Sequence, residues 1–303
     1  MSSRLVLATI GLVAILIGGN FSALKFALDH TTPFLLASMR TVVGGSFLIG
    51  FALWRGESLP RRRDDLARIF VVSLSITTTS SALLVFGVNR VPAGVASLIS
   101  STMPLFTAVL SFVLLGVLVS RAGLVGLALG FSGTLLLASP SLGGGGQTVG
   151  IVALVFSALA WAFGTVFMKW KDFSRVNPMM LVGVQLIMSA LVLVPFALVV
   201  EGTDGTDWSL GLFVPLAYAA IPANAVTFAL LATVVKLATP TQAASTAYLI
   251  PVFGVFFGWL IRDETLGLAE LLGGALVILG VYILVDSAAR QAAAQLRVRT
   301  GAG

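Results

Sequence analysis

Residues 82–137 read ALLVFGVNRVPAGVASLISSTMPLFTAVLSFVLLGVLVSRAGLVGLALGFSGTLLL, and residues 229–284 read ALLATVVKLATPTQAASTAYLIPVFGVFFGWLIRDETLGLAELLGGALVILGVYIL. The two stretches align without a gap at an offset of 147. Ala82-Leu83-Leu84 falls on Ala229-Leu230-Leu231, Pro104 and Phe106 on Pro251 and Phe253, Gly126 on Gly273, and Gly133 on Gly280. Apolar helices share Leu and Ala by chance, so the shared prolines and glycines carry most of the weight. Upstream, at a slightly smaller offset, Lys25 falls on Lys169, and Pro33 and Arg40 fall on Pro178 and Gln185. The chain reads as an internal repeat.

Each copy is made of apolar runs of about 20 residues, the length that crosses a bilayer. Ten such runs fit, at about 5–28, 32–54, 66–89, 93–119, 121–140, 149–170, 178–200, 211–236, 241–262 and 266–286. Only 10% of the 303 residues are charged and mean hydropathy is +1.05, too few charges to cover a soluble surface. The connectors are short, so function must lie inside the bundle. The expected organisation is a first five-helix repeat at 1–140, a connector at 141–148, a second repeat at 149–286 and a tail at 287–303. Residues 5–28 are read as a span rather than a signal peptide, because no small-residue cleavage site follows them.

With the N-terminus inside, fourteen Lys and Arg residues fall on the inner side and two, Arg90 and Arg262, on the outer side. That excess predicts both termini in the cytoplasm; a bacterial inner membrane is the expected location. Trp54, Trp170, Trp208 and Trp259 fall near predicted span ends, where an aromatic belt belongs. The net charge of +6 sits in connectors rather than on one basic face, which argues against nucleic-acid binding. Absent cysteine and a single histidine, His30, leave no thiolate site and no histidine cluster, so no metal or other cofactor is expected.

Five spans per half is an odd number, so the two halves must enter the membrane with opposite orientation. Inverted repeats underlie alternating access, with the ligand at the midplane between halves. Pro104 in span four and Pro251 in span nine sit at matched positions, and each would free the carbonyl four residues earlier, Ser100 and Ala247. They are expected to act as a hinge pair; the plainer alternative is a structural kink.

These residues resemble the drug/metabolite transporter superfamily, in its ten-span EamA-type branch. Gly18-Gly19-Asn20-Phe21 with Lys25 is similar to that family's W-G-x-N-F…K pattern, with Gly18 in place of Trp. Pro33…Arg40 resembles its P…R signature, and Ala160-Trp161-Ala162 its sixth-span motif. Pro251 to Glu264, then Gly273-Gly274 and Gly280, resembles its closing stretch. The resemblance implies an all-α membrane protein of ten spans that exports or facilitates diffusion of amino acids and related small metabolites, as in the YddG-like group. Multidrug or other metabolite export, proton-coupled or not, is the alternative on the same fold.

Polar residues inside spans are the candidate lining of a substrate cavity. They are Asn20, Ser75, Thr78, Thr79, Ser97, Ser100, Ser101, Asn224, Thr227, Ser245 and Tyr248. For each one singly, helix–helix hydrogen bonding is the competing role. Trp161 and Thr165 are four apart on one helical face. At mid-depth Trp161 is either core or a stacking wall, and the family resemblance places it at the cavity. Lys25, near a span end, suits an interfacial role. Arg40 lies deeper, where a cation is costly and must meet protein, water or substrate. Its partner is expected to be freed backbone carbonyls or a substrate carboxylate.

All twelve carboxylates lie in connectors or near span ends. Proton relays normally use buried Asp, Glu or His, so uncoupled facilitated diffusion is expected. An intramembrane enzyme would need clustered carboxylates, histidine or a metal site, which the chain lacks. No P-loop is present, so ATP does not drive the process, and Gly143 to Gly146 reads as a flexible connector. Ala122, Gly126, Gly130 and Thr134 recur every four residues, as do Gly254 and Gly258, and both sets suit close helix packing. Two complete halves in one chain make a monomer sufficient.

Overall fold

The computed structural model describes residues 3–141, 145–227, 230 and 246–300. Among them every regular element is helical. Eight helical segments are long and apolar enough to cross a membrane, and two shorter apolar ones lie at 210–226 and 247–262. The elements are α1 (Ser3–Leu28), α2 (Pro33–Trp54), α3 (Arg63–Val72), α4 (Ser80–Val88), α5 (Ala93–Ser100), α6 (Met103–Leu115), α7 (Arg121–Ala138), α8 (Gly146–Trp170), α9 (Pro178–Val200), α10 (Leu210–Ala220), α11 (Thr246–Arg262) and α12 (Leu268–Thr300). π-Helical segments at Ser73–Thr79 and Ile221–Val226 follow α3 and α10.

Helix ends follow local chemistry. Ser120 Oγ accepts from Gly123 N–H and Asn177 Oδ1 accepts from Met179 N–H, satisfying first-turn donors of α7 and α9. Pro33 and Pro178 open α2 and α9, where a missing N–H costs nothing. Gly116, in the left-handed region at φ 67°, closes α6.

Three spans depart from the expected single helices. Span four is two helices, α5 and α6, rather than one helix hinged at Pro104. The hydroxyls of Ser101 and Thr102 donate to Leu98 O and Ile99 O, and Thr102 N–H folds back on Ile99 O. The ladder therefore stops there, and Pro104 lies in the first turn of α6, where it breaks no bond. Pro251, by contrast, lies inside the continuous α11. In span three, Thr77 Oγ1 competes for Ser73 O and widens the turn into a π-helix. In span eight Pro222 has no N–H to give, and Thr227 Oγ1 bonds Pro222 O five residues back. At an offset of 147 the first π-segment falls on residues 220–226, so both halves widen at the same place. Residues 287–300, expected as a tail, continue α12, helped by the Asp286–Arg290 pair one turn apart at 2.8 Å.

The closest helix pairings are α7 with α12, α2 with α9, α1 with α11, α4 with α8, α6 with α8, α1 with α10 and α5 with α11. Exchanging the two halves leaves this set unchanged: α1–α11 becomes α8 with the α5–α6 span, and α4–α8 becomes α10–α1. The α7–α12 seam brings backbone to backbone. A Cβ on Gly126 would stand 2.6 Å from Gly280 O, and one on Gly133 would stand 2.6 Å from Gly273 O. These positions need glycine. Gly18 meets the same limit, because a Cβ there would lie 2.6 Å from Phe253 Cβ. A tryptophan at that position could not be accommodated against this α11.

Candidate functional site

The two ends of the bundle differ. At the Lys25 end, polar bonds join the first half of the chain to the second. Asp29 accepts from Arg262 at 2.6 Å, His30 Nδ1 pairs with Asp207 at 2.9 Å, and Thr31 meets Thr206 at 3.0 Å. Glu201 Oε2 accepts from the N–H groups of Phe34 and Leu35, which open α2. Glu264 accepts from Ala93 N–H at 2.7 Å and Gly94 N–H at 3.1 Å, which open α5. Each carboxylate thus meets the positive end of a helix dipole from the other half. Lys25 Nζ donates to Val88 O and Val91 O, capping the end of α4. At the opposite end the described cross-half bonds are fewer: Arg68 donates to Asp172 O, and Asn177 Nδ2 donates to Glu57 Oε1. Asp207, in its connector, is held below the usual carboxylate range by the Ser209 hydroxyl and then by His30.

Between these ends lie the candidate lining residues, and hydrogen bonding sorts them. Ser75 donates to Ala160 O of α8, and Thr78 donates to Ser189 Oγ at 3.1 Å. Both tie the π-segment of span three to neighbouring helices. Ser97 and Ser101 bond carbonyls three residues back in their own helix, and Thr227 bonds within its π-segment. Thr79 is exposed and faces a lateral groove of about 780 Å³ lined by residues such as Phe86, Leu110, Phe156 and Phe163. That groove is almost wholly apolar and lies on the outward face of α8, apart from the polar centre. Ser245 lies outside the described residues.

A second set is differently placed. At about 100° per residue, Trp161 projects roughly opposite Val152, Phe156 and Phe163, the exposed outer face of α8. Its neighbours on that inner side, Leu154, Ser157, Ala158 and Gly164, are buried. Trp161 is nevertheless 40% exposed, so it faces an opening inside the bundle. Thr165, one turn on, spends its hydroxyl on Trp161 O. Tyr248 packs edge-to-face on Tyr282 at 5.6 Å. Asn224, in the second π-segment, lies beside Gly44 of α2 and is half-buried.

Asn20, Ser100 and Arg40 are buried and incompletely satisfied. Asn20 Oδ1, Ser100 Oγ and Arg40 Nε and Nη1 have no hydrogen-bond partner. Asn20 lies eight residues from the end of α1, and Arg40 and Ser100 each seven from the start of α2 and α5. At about 1.5 Å per residue all three sit roughly 10–12 Å in from the Lys25 end. Glu201 and Glu264 escape the sequence reading as cross-half helix caps, since neither has a local partner to signal that role. The glutamate of the closing stretch was the one available hint.

Eight long apolar helical segments with buried, half-satisfied polar groups at mid-span define an integral membrane helix bundle. The EamA-like transporter family model matches residues 5–139 and again 148–286, and the chain belongs to that family. The chain is 29% identical over 287 residues to the uncharacterised transporter YvbV of Bacillus subtilis, covering 94% of this chain and 93% of that one. It is 27% identical over 272 residues to the uncharacterised inner membrane transporter YedA of Escherichia coli, covering 88% and 86%. One solved crystal structure superposes with a TM-score of 0.67 at 19% identity, covering 96% of this chain and 99% of the other, a likeness of fold.

Proposed function

We propose that this integral membrane transporter is a secondary carrier that moves amino acids and related small metabolites by alternating access between two inverted five-helix halves. One observation carries the reading: among the described residues, cross-half bonds gather at the Lys25 end while the inward-facing Trp161 stays accessible. A pore would be open along its length. A carrier closed at one end has this geometry. The inverted repeat is supported by the two family matches, by helix pairings that survive exchange of the halves, and by the matched π-segments. The ends of α1 and its counterpart α8 also lie at opposite ends of the bundle. With both termini in the cytoplasm, the Lys25 end is outside and the described state is closed outward. Substrate would lie against Trp161 and the mid-span polar groups Asn20, Ser100 and Asn224. Without a mid-span carboxylate to carry a proton, transport follows the substrate gradient.

The test is uptake of labelled amino acids by purified protein in liposomes, with and without a pH gradient. Saturable uptake, accelerated by substrate on the far side and indifferent to the pH gradient, is the expected result. Uptake only under a pH gradient would overturn the uncoupled mechanism, and flux that never saturates would overturn the carrier.

A further inference from the structure

Arg40 is 7% exposed, in the membrane-spanning part of α2, and makes no hydrogen bond or ion pair. Its Nε and Nη1 are fully enclosed and unpartnered. Nη2 is absent from that enclosed set although it too is unbonded, so it is the nitrogen that keeps accessible surface. The guanidinium therefore keeps one terminal nitrogen at accessible surface while its other two nitrogens are sealed. Gly44, one turn along the same helix, lies against Ala220 O and Asn224, so this side of α2 faces the second π-segment. The freed-carbonyl partner expected from the sequence is not made. A buried cation without a counter-charge is costly, by several kcal/mol per ion in general, and a folded protein keeps one where something else brings the anion.

Building on the carrier reading, we infer that Arg40 is the recognition site for a single carboxylate on the transported substrate. One fixed positive charge balances a monoanion. A phosphate dianion would leave net negative charge inside the membrane, since among the described residues no second cation lies at this depth. The groups at the same level, Asn20 and Ser100, are neutral and add no charge to that of Arg40. The equivalent position in the second half holds neutral Gln185, so the carboxylate is held by one half only. Through the accessible Nη2, Arg40 can donate a charge-assisted hydrogen bond to a carboxylate oxygen.

The experiment uses the full chain in detergent. Thermal stabilisation is measured with L-leucine, L-phenylalanine, acetate and benzoate, with the carboxamide of each, and with chloride at equal ionic strength. At least one carboxylate is expected to stabilise the protein at millimolar concentration, and its carboxamide is expected to need at least about tenfold more. Arg40→Gln, which installs the residue of the other half, should remove the shift; Arg40→Lys should keep part of it. Equal effects of carboxylate and carboxamide, an unchanged shift in Arg40→Gln, no shift with any carboxylate, or chloride acting as well as carboxylates would each overturn the inference. If Arg40→Gln does not fold, the carboxylate-to-carboxamide comparison on the unaltered protein decides alone. Stabilisation by acetate or benzoate but by neither amino acid would leave Arg40 as a carboxylate site and overturn the amino-acid reading. Stabilisation by amino acids regardless of amidation would do the reverse.

Discussion

Trp161 shows how one side chain can be placed by two independent observations. It points away from the lipid-facing stripe of α8, yet it is accessible. A flat indole at an internal opening offers stacking to apolar or aromatic side chains at low entropic cost. Trp161→Ala is expected to raise the concentration giving half-maximal liposome uptake about tenfold for aromatic substrates, and less for glycine or alanine. Equal loss across all substrates would instead mean that the residue only holds α8 in place. Lys25 differs in kind. Its ammonium caps two carbonyls at the end of α4, so Lys25→Met is expected to cost about 1–3 kcal/mol of stability. Thermal unfolding in detergent would read that loss, while substrate affinity stays unchanged.

At the scale of elements, the cross-half caps are what would hold the Lys25 end closed in the proposed carrier. Glu264 holds the first N–H groups of α5 and Glu201 those of α2. Glu264→Gln keeps the shape but weakens a charge-assisted bond to a helix N-terminus. It is expected to shift the population towards the state open at the Lys25 end, read as faster modification of a cysteine placed at Trp161 by an impermeant reagent added on the Lys25 side. The Asp207 contact adds a pH dependence with a definite sign. Its pKa is lowered in the folded protein, by Ser209 and then His30, so the stability it contributes is present above the unfolded value near 3.8. That contribution disappears as pH falls through the lower folded value. Asp207→Asn should therefore remove an acid-side loss of thermal stability below about pH 4 and leave the profile from pH 5 to 8 unchanged.

The same scale explains what the sequence makes legible. Spans, their ends and the repeat follow from hydropathy, prolines and glycines, since each is a local property of the chain. The π-segments and the break in span four arise from hydroxyls competing for carbonyls. Whether Ser73 and Thr77 do so depends on Gln185 O, supplied by a helix more than a hundred residues away. For the same reason a list of mid-span serines and threonines cannot separate lining from glue: Ser75 and Thr78 find partners on α8 and α9 that no spacing rule reveals. Trp161 and Arg40 stand out because a large aromatic and a cation are costly to place at mid-span for packing alone.

At the scale of the whole molecule, the α7–α12 seam stands apart from the helices around the polar centre. Its backbones touch through Gly126, Gly133, Gly273 and Gly280, so it is rigid by construction. Gly280→Val is expected to cost about 1–3 kcal/mol by overpacking, with affinity unchanged in whatever folded fraction remains. In the proposed carrier the moving interfaces are instead the cross-half contacts at the Lys25 end, and their sidedness fixes which compartment the described state is closed to. The natural absence of cysteine makes this testable without background labelling. Asp204→Cys lies in the connector beside Glu201, and Leu59→Cys in the exposed connector after α2. A membrane-impermeant maleimide added to intact bacterial cells, after the outer barrier is made leaky, is expected to modify Asp204→Cys. Leu59→Cys should react only once the inner membrane is broken. The opposite pattern would place the closed end in the cytoplasm and invert the proposed orientation. Carrier geometry and carboxylate recognition would survive that result, because they rest on contacts within the bundle rather than on which compartment each end meets.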